Sequence, residues 1–158
     1  MIDDIPPPIH GSLAVDVFGR SYHTNRVVHW NETNPGLGIT AAFEHTDVCD
    51  YVLSAGMYCD SFNEHAEYAV MGLRFTGGGR KSLHTSAGLS VGILDGSGNT
   101  GLGLIPVVSI GYDRVDLCFT GMYAKNGDGE RDTNGKVVPK NVSTSMIACF
   151  LSLTVLRF

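Results

Sequence analysis

Hydrophobic and polar residues alternate with a period of two along most of the chain, the pattern of β-strands whose two faces meet different surroundings. Residues 83–93 show it most clearly: Leu, Thr, Ala, Val and Ile fill the odd positions, and His, Ser and Gly fill the even ones. Turn-forming residues separate eight such segments, which predicts an all-β fold, an eight-stranded antiparallel up-and-down β-barrel. The predicted strands cover approximately residues 13–22, 37–44, 51–59, 65–75, 83–93, 102–112, 115–124 and 144–158.

The chain of 158 residues has the size of one domain. Three consecutive prolines near the start favour an extended backbone, so residues 1–12 are predicted to form a Pro-rich N-terminal arm. Residues 13–158 form the barrel domain, in which residues 125–143 are a long polar loop before the last strand. Pro106 lies inside the sixth predicted strand and has no backbone N–H, which predicts a bulge or a gap in strand pairing there.

The alternation does not tell which face of the strands lines the barrel interior. An apolar interior would give a soluble barrel, whereas an apolar exterior would be covered by lipid or by partner chains. A transmembrane barrel also carries girdles of aromatic residues at both membrane interfaces. One Trp, six Tyr and seven Phe are a small set for two girdles, which argues against the membrane arrangement.

The net charge and the positions of the cysteines limit the classes of ligand that the protein is expected to bind. A net charge of −5 with 11 Lys and Arg residues provides no basic surface for nucleic acid. The cysteines have no metal-ligand spacing and lie in or beside apolar runs, so we expect free structural thiols, with no metal and no other cofactor. They are Cys49, Cys59, Cys118 and Cys149.

The first residues do not have the composition of a secretion signal. Two acidic residues and three prolines stand where such a signal has a basic start and an apolar run. The sequence as written therefore predicts a protein that is not secreted, unless Met1 is a start codon added to a mature chain.

Several motifs, in their serial order, resemble one known family. They are Asn31-Glu-Thr-Asn-Pro-Gly-Leu-Gly-Ile39, Tyr58-Cys-Asp-Ser-Phe62, Ile105-Pro-Val-Val-Ser-Ile-Gly-Tyr112 with Val115-Asp-Leu-Cys-Phe-Thr-Gly-Met-Tyr123, and a chain end of Val-Leu-Arg-Phe158. Together they resemble the lipid A palmitoyltransferase (PagP-like) barrels, and most of all the small phage-encoded members of unassigned function. The resemblance covers approximately residues 20–124 and the last strand, and it too implies an eight-stranded antiparallel barrel.

The resemblance also implies roles for five residues. Asp60 and Ser61 match the family's Asp-Ser pair, and His23 is the best match for its essential histidine. Pro35 and Pro106 match prolines that interrupt barrel hydrogen bonding and admit acyl chains from the side. The chain departs from these enzymes in lacking their export signal, their N-terminal amphipathic helix and their aromatic-rich lipid face.

Two interpretations of the His23, Asp60 and Ser61 set remain open at this point. In the first, a histidine base activates a hydroxyl and a carboxylate orients the base, which requires hydrogen-bond distances of about 2.6–3.2 Å. In the second, Asp60 and Ser61 are ordinary turn residues that follow a strand. The three residues are therefore catalytic, and the two prolines lipid gates, only if the protein is an enzyme.

Three hypotheses of function follow. The main one is a non-enzymatic barrel that serves as an assembly or binding module, a bacteriophage virion or accessory structural protein that passes from the host cytoplasm into the virion. Such a module would bury its apolar surface against protein partners or further copies of itself. The alternative is an outer-membrane acyltransferase of the lipid A palmitoyltransferase type, with membrane lipid as its partner. The second alternative is a soluble carrier of lipid or another small ligand.

Overall fold

All eight predicted strands are present, and they form a closed antiparallel barrel in chain order, with β1 paired to β8. The computed structural model describes residues 9–24, 30–79, 81–96, 99–125 and 143–158. Most of the predicted Pro-rich arm and polar loop lies outside these residues. Nowhere in the described ranges is there a helix that could cross a membrane. The strands are β1 (Gly11–His23), β2 (Thr33–Thr46), β3 (Cys49–Cys59), β4 (His65–Gly78), β5 (Leu83–Gly96), β6 (Asn99–Tyr112), β7 (Val115–Lys125) and β8 (Ser143–Arg157).

The two ends of the barrel differ. At one end, which we call the short-turn end, tight turns join β2 to β3, β4 to β5 and β6 to β7. Asp113 has a φ of 50° in the two-residue turn between β6 and β7, a conformation that Asp tolerates better than most residues. The backbone N–H of Gly11 donates to the carbonyl of Phe158 at 2.8 Å at this end. The opposite end, the loop end, carries the connections β1–β2, β3–β4, β5–β6 and β7–β8.

The outer face of the barrel is apolar, whereas the lumen is lined by a mixture of polar, small, aromatic and aliphatic residues. On β5, Leu89, Val91 and Ile93 are exposed on the outside, while Ser86 and Ser90 line the lumen. An eight-stranded barrel encloses a space only just wide enough for side chains, so along most of β5 the serines and glycines fit inside and the large aliphatic residues point outwards. The alternation in the sequence did not tell which face of the strands lies outside. The structure shows that the apolar face is the exterior one.

Most of the exposed aromatic residues described on the outer face lie near the barrel ends, whereas Phe119 lies at the middle of β7. Tyr51, Phe75 and Tyr112 are exposed at the short-turn end, and Tyr22 and Tyr123 are exposed at the loop end. The small number of aromatic residues argued against a membrane arrangement only as long as their positions were unknown. Their placement is that of interfacial girdles, which removes that objection.

Ionisable residues fill the lumen towards the short-turn end, and we call Asp16, Asp50, Arg74, His84 and Asp116 the lumen polar cluster. The Arg74 guanidinium donates to Asp50 Oδ2 from Nη2 at 2.9 Å and from Nε at 3.2 Å. His84 Nε2 lies 3.0 Å from Asp116 Oδ1. A buried carboxylate is stable only when it is paired or hydrogen-bonded, and Asp50 and Asp116 each have such a partner.

Candidate functional site

A change of register in β1 turns its last residues into the lumen. Up to Phe18 the even-numbered residues of β1 point inwards, and beyond it Ser21 and His23 are the buried ones. The register shifts between Phe18 and Arg20 against both β2 and β8, which places Gly19 at the irregularity. Because a one-residue shift reverses the face of every following side chain, His23 points inwards instead of towards the outer face.

His23 and Ser61 meet in the lumen at the loop end. The Ser61 Oγ lies 2.8 Å from His23 Nε2, within the range for a productive hydrogen bond. The side chains are 2% and 5% exposed, respectively. The structure thus brings together a potential base and a hydroxyl that are 38 residues apart in the chain.

Asp60 shapes the turn that presents Ser61. Its Oδ1 accepts the backbone N–H groups of Phe62 and Glu64, each at 2.8 Å, and the residue is almost completely buried. Asn63 in the same turn has a φ of 64°, a left-handed conformation that Asn adopts readily. The hydrogen-bonded turn expected for this segment is therefore present. The His23–Ser61 contact is present as well, so the two interpretations do not exclude each other.

Asn31 and Asn34, which the sequence analysis did not assign to the site, connect its parts. Asn31 bonds to the turn between β3 and β4, and Asn34 bonds to the end of β3 and to β1. The backbone N–H of Asn31 donates to the carbonyl of Ser61 at 2.8 Å, and its Nδ2 donates to the carbonyl of Asp60 at 3.0 Å. Asn34 accepts from Ser21 Oγ at 2.6 Å and donates to the carbonyl of Cys59 at 2.9 Å. Both asparagines belong to the motif at residues 31–39, which was the available signal for their importance.

The single tryptophan covers the histidine. The Trp30 ring stacks on the His23 imidazole with centroids 4.8 Å apart and an angle of 12° between the planes. Phe62 packs against Trp30 with a centroid separation of 5.4 Å. The stack shields one face of the imidazole from water and fixes the plane of the ring. Trp30 was missed because a lone tryptophan outside any strand pattern carries no signal of what it contacts.

Pro35 and Pro106 both lie beside interruptions of the barrel wall. Pro35 stands on β2 opposite the irregular part of β1. Within the described strands, the β6–β7 ladder begins at the Val107–Thr120 pair, and no ladder pairing joins residues 99–106 of β6 to β7. Thr120 Oγ1 donates to the carbonyl of Pro106 at 2.8 Å at this point. The predicted gap in pairing at Pro106 is confirmed, and the wall is open from there towards the loop end.

The lumen contains a cavity of about 220 Å³ that extends from the His23–Ser61 pair to the lumen polar cluster. We call it the lumen cavity. Four aromatic rings line one part of its wall, and aliphatic side chains and Met122 line another. The aromatic residues are Phe18, Tyr58, Tyr68 and Phe150; the aliphatic ones include Val70, Leu94, Ile105 and Val107. A buried cavity that joins a reactive pair to apolar walls suits a ligand with a hydrocarbon portion.

Comparisons with known proteins leave the family open. No protein-family model and no curated protein matches the chain. Among solved structures, the chain is similar to Ail, the attachment invasion locus protein of Yersinia pestis, which was solved in complex with the heparin analogue sucrose octasulfate. The TM-score is 0.48, with 10% sequence identity over 95% of this chain and 99% of that chain.

Proposed function

We propose that this protein is an outer-membrane β-barrel. The support is the arrangement of its surface: an apolar outer face, aromatic residues near both ends, and ionisable side chains kept inside the lumen. Lipid requires this arrangement, because apolar groups can face hydrocarbon while the strands of a closed barrel pair most of their backbone groups with one another. A soluble small-ligand carrier would need the opposite placement, with its polar face in water. The short-turn end and the loop end also match the periplasmic and extracellular ends of such barrels.

Replacement of Val91 by arginine tests this proposal. Val91 is exposed near the middle of β5, between Met71 of β4 and Leu104 of β6. A charge at the bilayer midplane costs about 2–4 kcal/mol, so we expect Val91→Arg to lower the free energy of unfolding by that amount. The measurement is equilibrium urea unfolding in phosphatidylcholine vesicles.

The matched control is Leu83→Arg, on the same face of β5 but at its short-turn end. We expect it to cost about 0–1 kcal/mol, because arginine near the interface reaches water. Equal costs at the two positions would contradict a lipid-facing belt. A wild-type chain that stays folded in detergent-free buffer as a discrete assembly would instead support the assembly-module hypothesis, which has no other support at present.

Within the membrane interpretation, we propose that the protein transfers an acyl chain from a phospholipid to a glycolipid hydroxyl. The observation that carries this proposal is the 2.8 Å contact of His23 Nε2 with Ser61 Oγ. A histidine paired with a hydroxyl is the arrangement used for nucleophilic acyl transfer. The gap in strand pairing beside Pro106 and the apolar walls of the lumen cavity support it further, because they provide a lateral path for a hydrocarbon chain.

The proposed chemistry has two balanced steps. As Ser61 Oγ attacks the ester carbonyl, His23 Nε2 takes the hydroxyl proton; the ester C–O bond then breaks, and the leaving lysophospholipid oxygen receives that proton. The acceptor hydroxyl next attacks the acyl-serine, giving its proton to His23, and Ser61 is released with a proton from His23. Asp60 holds the turn of Ser61, and Asn31 and Asn34 position the pair.

The direct experiment uses the protein in vesicles that contain phospholipid with a labelled palmitoyl chain and lipid A as acceptor. We expect lysophospholipid and acylated lipid A to form in equal amounts. His65→Ala is the matched control, because His65 is an exposed histidine at the same end of the barrel, paired with Glu67, and its loss should leave the rate unchanged. Absence of both transfer and release of free palmitate would overturn the acyltransfer proposal.

A further inference from the structure

One carboxylate oxygen in the lumen polar cluster has no hydrogen-bond donor. Asp16 is 2% exposed, and its Oδ2 accepts from Thr40 Oγ1 at 2.5 Å. Among the described residues, none places a donor at hydrogen-bond distance from Oδ1, although the Ser152 hydroxyl, opposite Asp16 in the β1–β8 ladder, also stabilises the carboxylate. A buried acceptor without a donor is costly, and more so when it is charged. Asp16 also lines the lumen cavity, so a bound ligand can supply the donor.

The surroundings of Asp16 favour a cationic donor. The cluster contains three aspartates and one arginine, and Arg74 already uses both Nε and Nη2 on Asp50. His84 is in turn paired with Asp116. Phe18, Tyr58 and Tyr68 line the lumen cavity together with Asp16, and their ring centroids lie 5.7–6.5 Å from one another. Aromatic faces attract ammonium groups through their quadrupoles, which adds to the attraction of the carboxylate.

The same surroundings argue against a metal ion. Within the described part of the chain, no group of three His, Cys, Asp or Glu side chains is placed to hold a metal. An ammonium group needs fewer charged ligands, because its three N–H donors are satisfied by a carboxylate and neutral acceptors such as hydroxyls. The aliphatic wall of the lumen cavity then provides space for a hydrocarbon tail next to the charged head.

We propose that the lumen cavity binds an aliphatic primary amine, with the ammonium group on Asp16 Oδ1 and the hydrocarbon tail between the aromatic and aliphatic walls. Asp16 lines the same lumen cavity as the His23–Ser61 pair, but binding of the amine does not require acyl transfer. It gives the otherwise unpartnered Asp16 oxygen a donor and brings the excess of lumen carboxylates closer to neutrality.

The experiment is a titration of octylamine, 1-octanol and octyl sulfate into the protein in lipid nanodiscs, followed by NMR of labelled isoleucine methyl groups. Ile105 lines the lumen cavity, whereas Ile93 faces the exterior, so ligand in the lumen shifts Ile105 and ligand in the bilayer shifts Ile93. We expect saturable shifts of Ile105 with octylamine, weaker ones with octanol, and none with octyl sulfate.

Asp16→Asn keeps the shape of the side chain and removes its charge. We expect it to weaken octylamine binding about tenfold to a hundredfold, the usual effect of losing a charged hydrogen bond. Asp95→Asn removes the same charge from an exposed site at the loop end and should leave the affinity unchanged.

Octylamine that leaves Ile105 unshifted, or that binds no better than octanol, would overturn the proposal. Equal affinity in the wild type and a folded Asp16→Asn variant would overturn it as well. If that variant does not fold, the ranking of the three probes in the wild type still decides. None of these measurements uses acyltransferase activity, so the two proposals fail independently.

Discussion

Removal of either His23 or Ser61 is expected to lower the rate of acyl transfer by about 10²–10⁴, the usual contribution of a positioned general base. Ser61→Ala removes the hydroxyl, and His23→Ala removes its proton acceptor at 2.8 Å. The measurement is the initial rate of palmitoyl transfer in vesicles at saturating phospholipid. The effect should appear in kcat with little change in KM, because neither group is needed to seat the hydrocarbon chain.

The double variant separates a catalytic pair from two independent structural residues. Residues that act as one unit have strongly non-additive effects, so His23→Ala with Ser61→Ala should be no slower than the slower single variant. A double variant that loses the product of the two single effects would contradict the assignment. Folding is checked by circular dichroism, since both side chains are buried and their loss can also lower stability.

The largest loss of stability is expected from Asp50→Asn. Asp50 is completely buried, and its Oδ2 receives two hydrogen bonds from Arg74. Neutralising Asp50 removes the carboxylate that Arg74 hydrogen-bonds; breaking a fully buried pair costs about 3–5 kcal/mol, and we expect a loss at the lower end of this range because the Arg74 side chain is 31% exposed. Urea unfolding in vesicles measures the change in the free energy of unfolding.

A second substitution supplies the control for Asp50→Asn. Arg74→Met in the same chain removes the positive charge that has lost its hydrogen-bonded carboxylate, and it keeps an unbranched aliphatic side chain. The double variant should therefore regain most of the lost stability. Asp113→Asn tests an exposed pair, since Asp113 meets Arg157 at 3.1 Å near the surface, and it should cost no more than about 1 kcal/mol. Equal losses for Asp50→Asn and Asp113→Asn would show that burial of the lumen pair has no energetic consequence.

Much of the barrel could be predicted because strand and turn signals are local. The alternation at residues 83–93 predicted β5, and the proline at position 106 predicted the gap in strand pairing. Each signal depends on a few neighbouring residues, and both features are present at the predicted positions. The prediction that His23, Asp60 and Ser61 lie close together depended instead on a family resemblance. No local pattern reports the roles of Asn31 and Asn34, because their hydrogen bonds join the beginning of β2 to the β3–β4 turn.

The sequence by itself determined the number of strands, their order and the turns between them, since alternation and turn chemistry act over a few residues. The tertiary structure decided that the apolar face of the strands lies on the outside of the barrel, because only closure of the eight strands fixes the space available in the lumen. It also decided the direction of His23, since the register shift at Gly19 exists only against the neighbouring strands β2 and β8. The same closure encloses Asp16 beside the lumen cavity, where its unpartnered oxygen can meet a ligand.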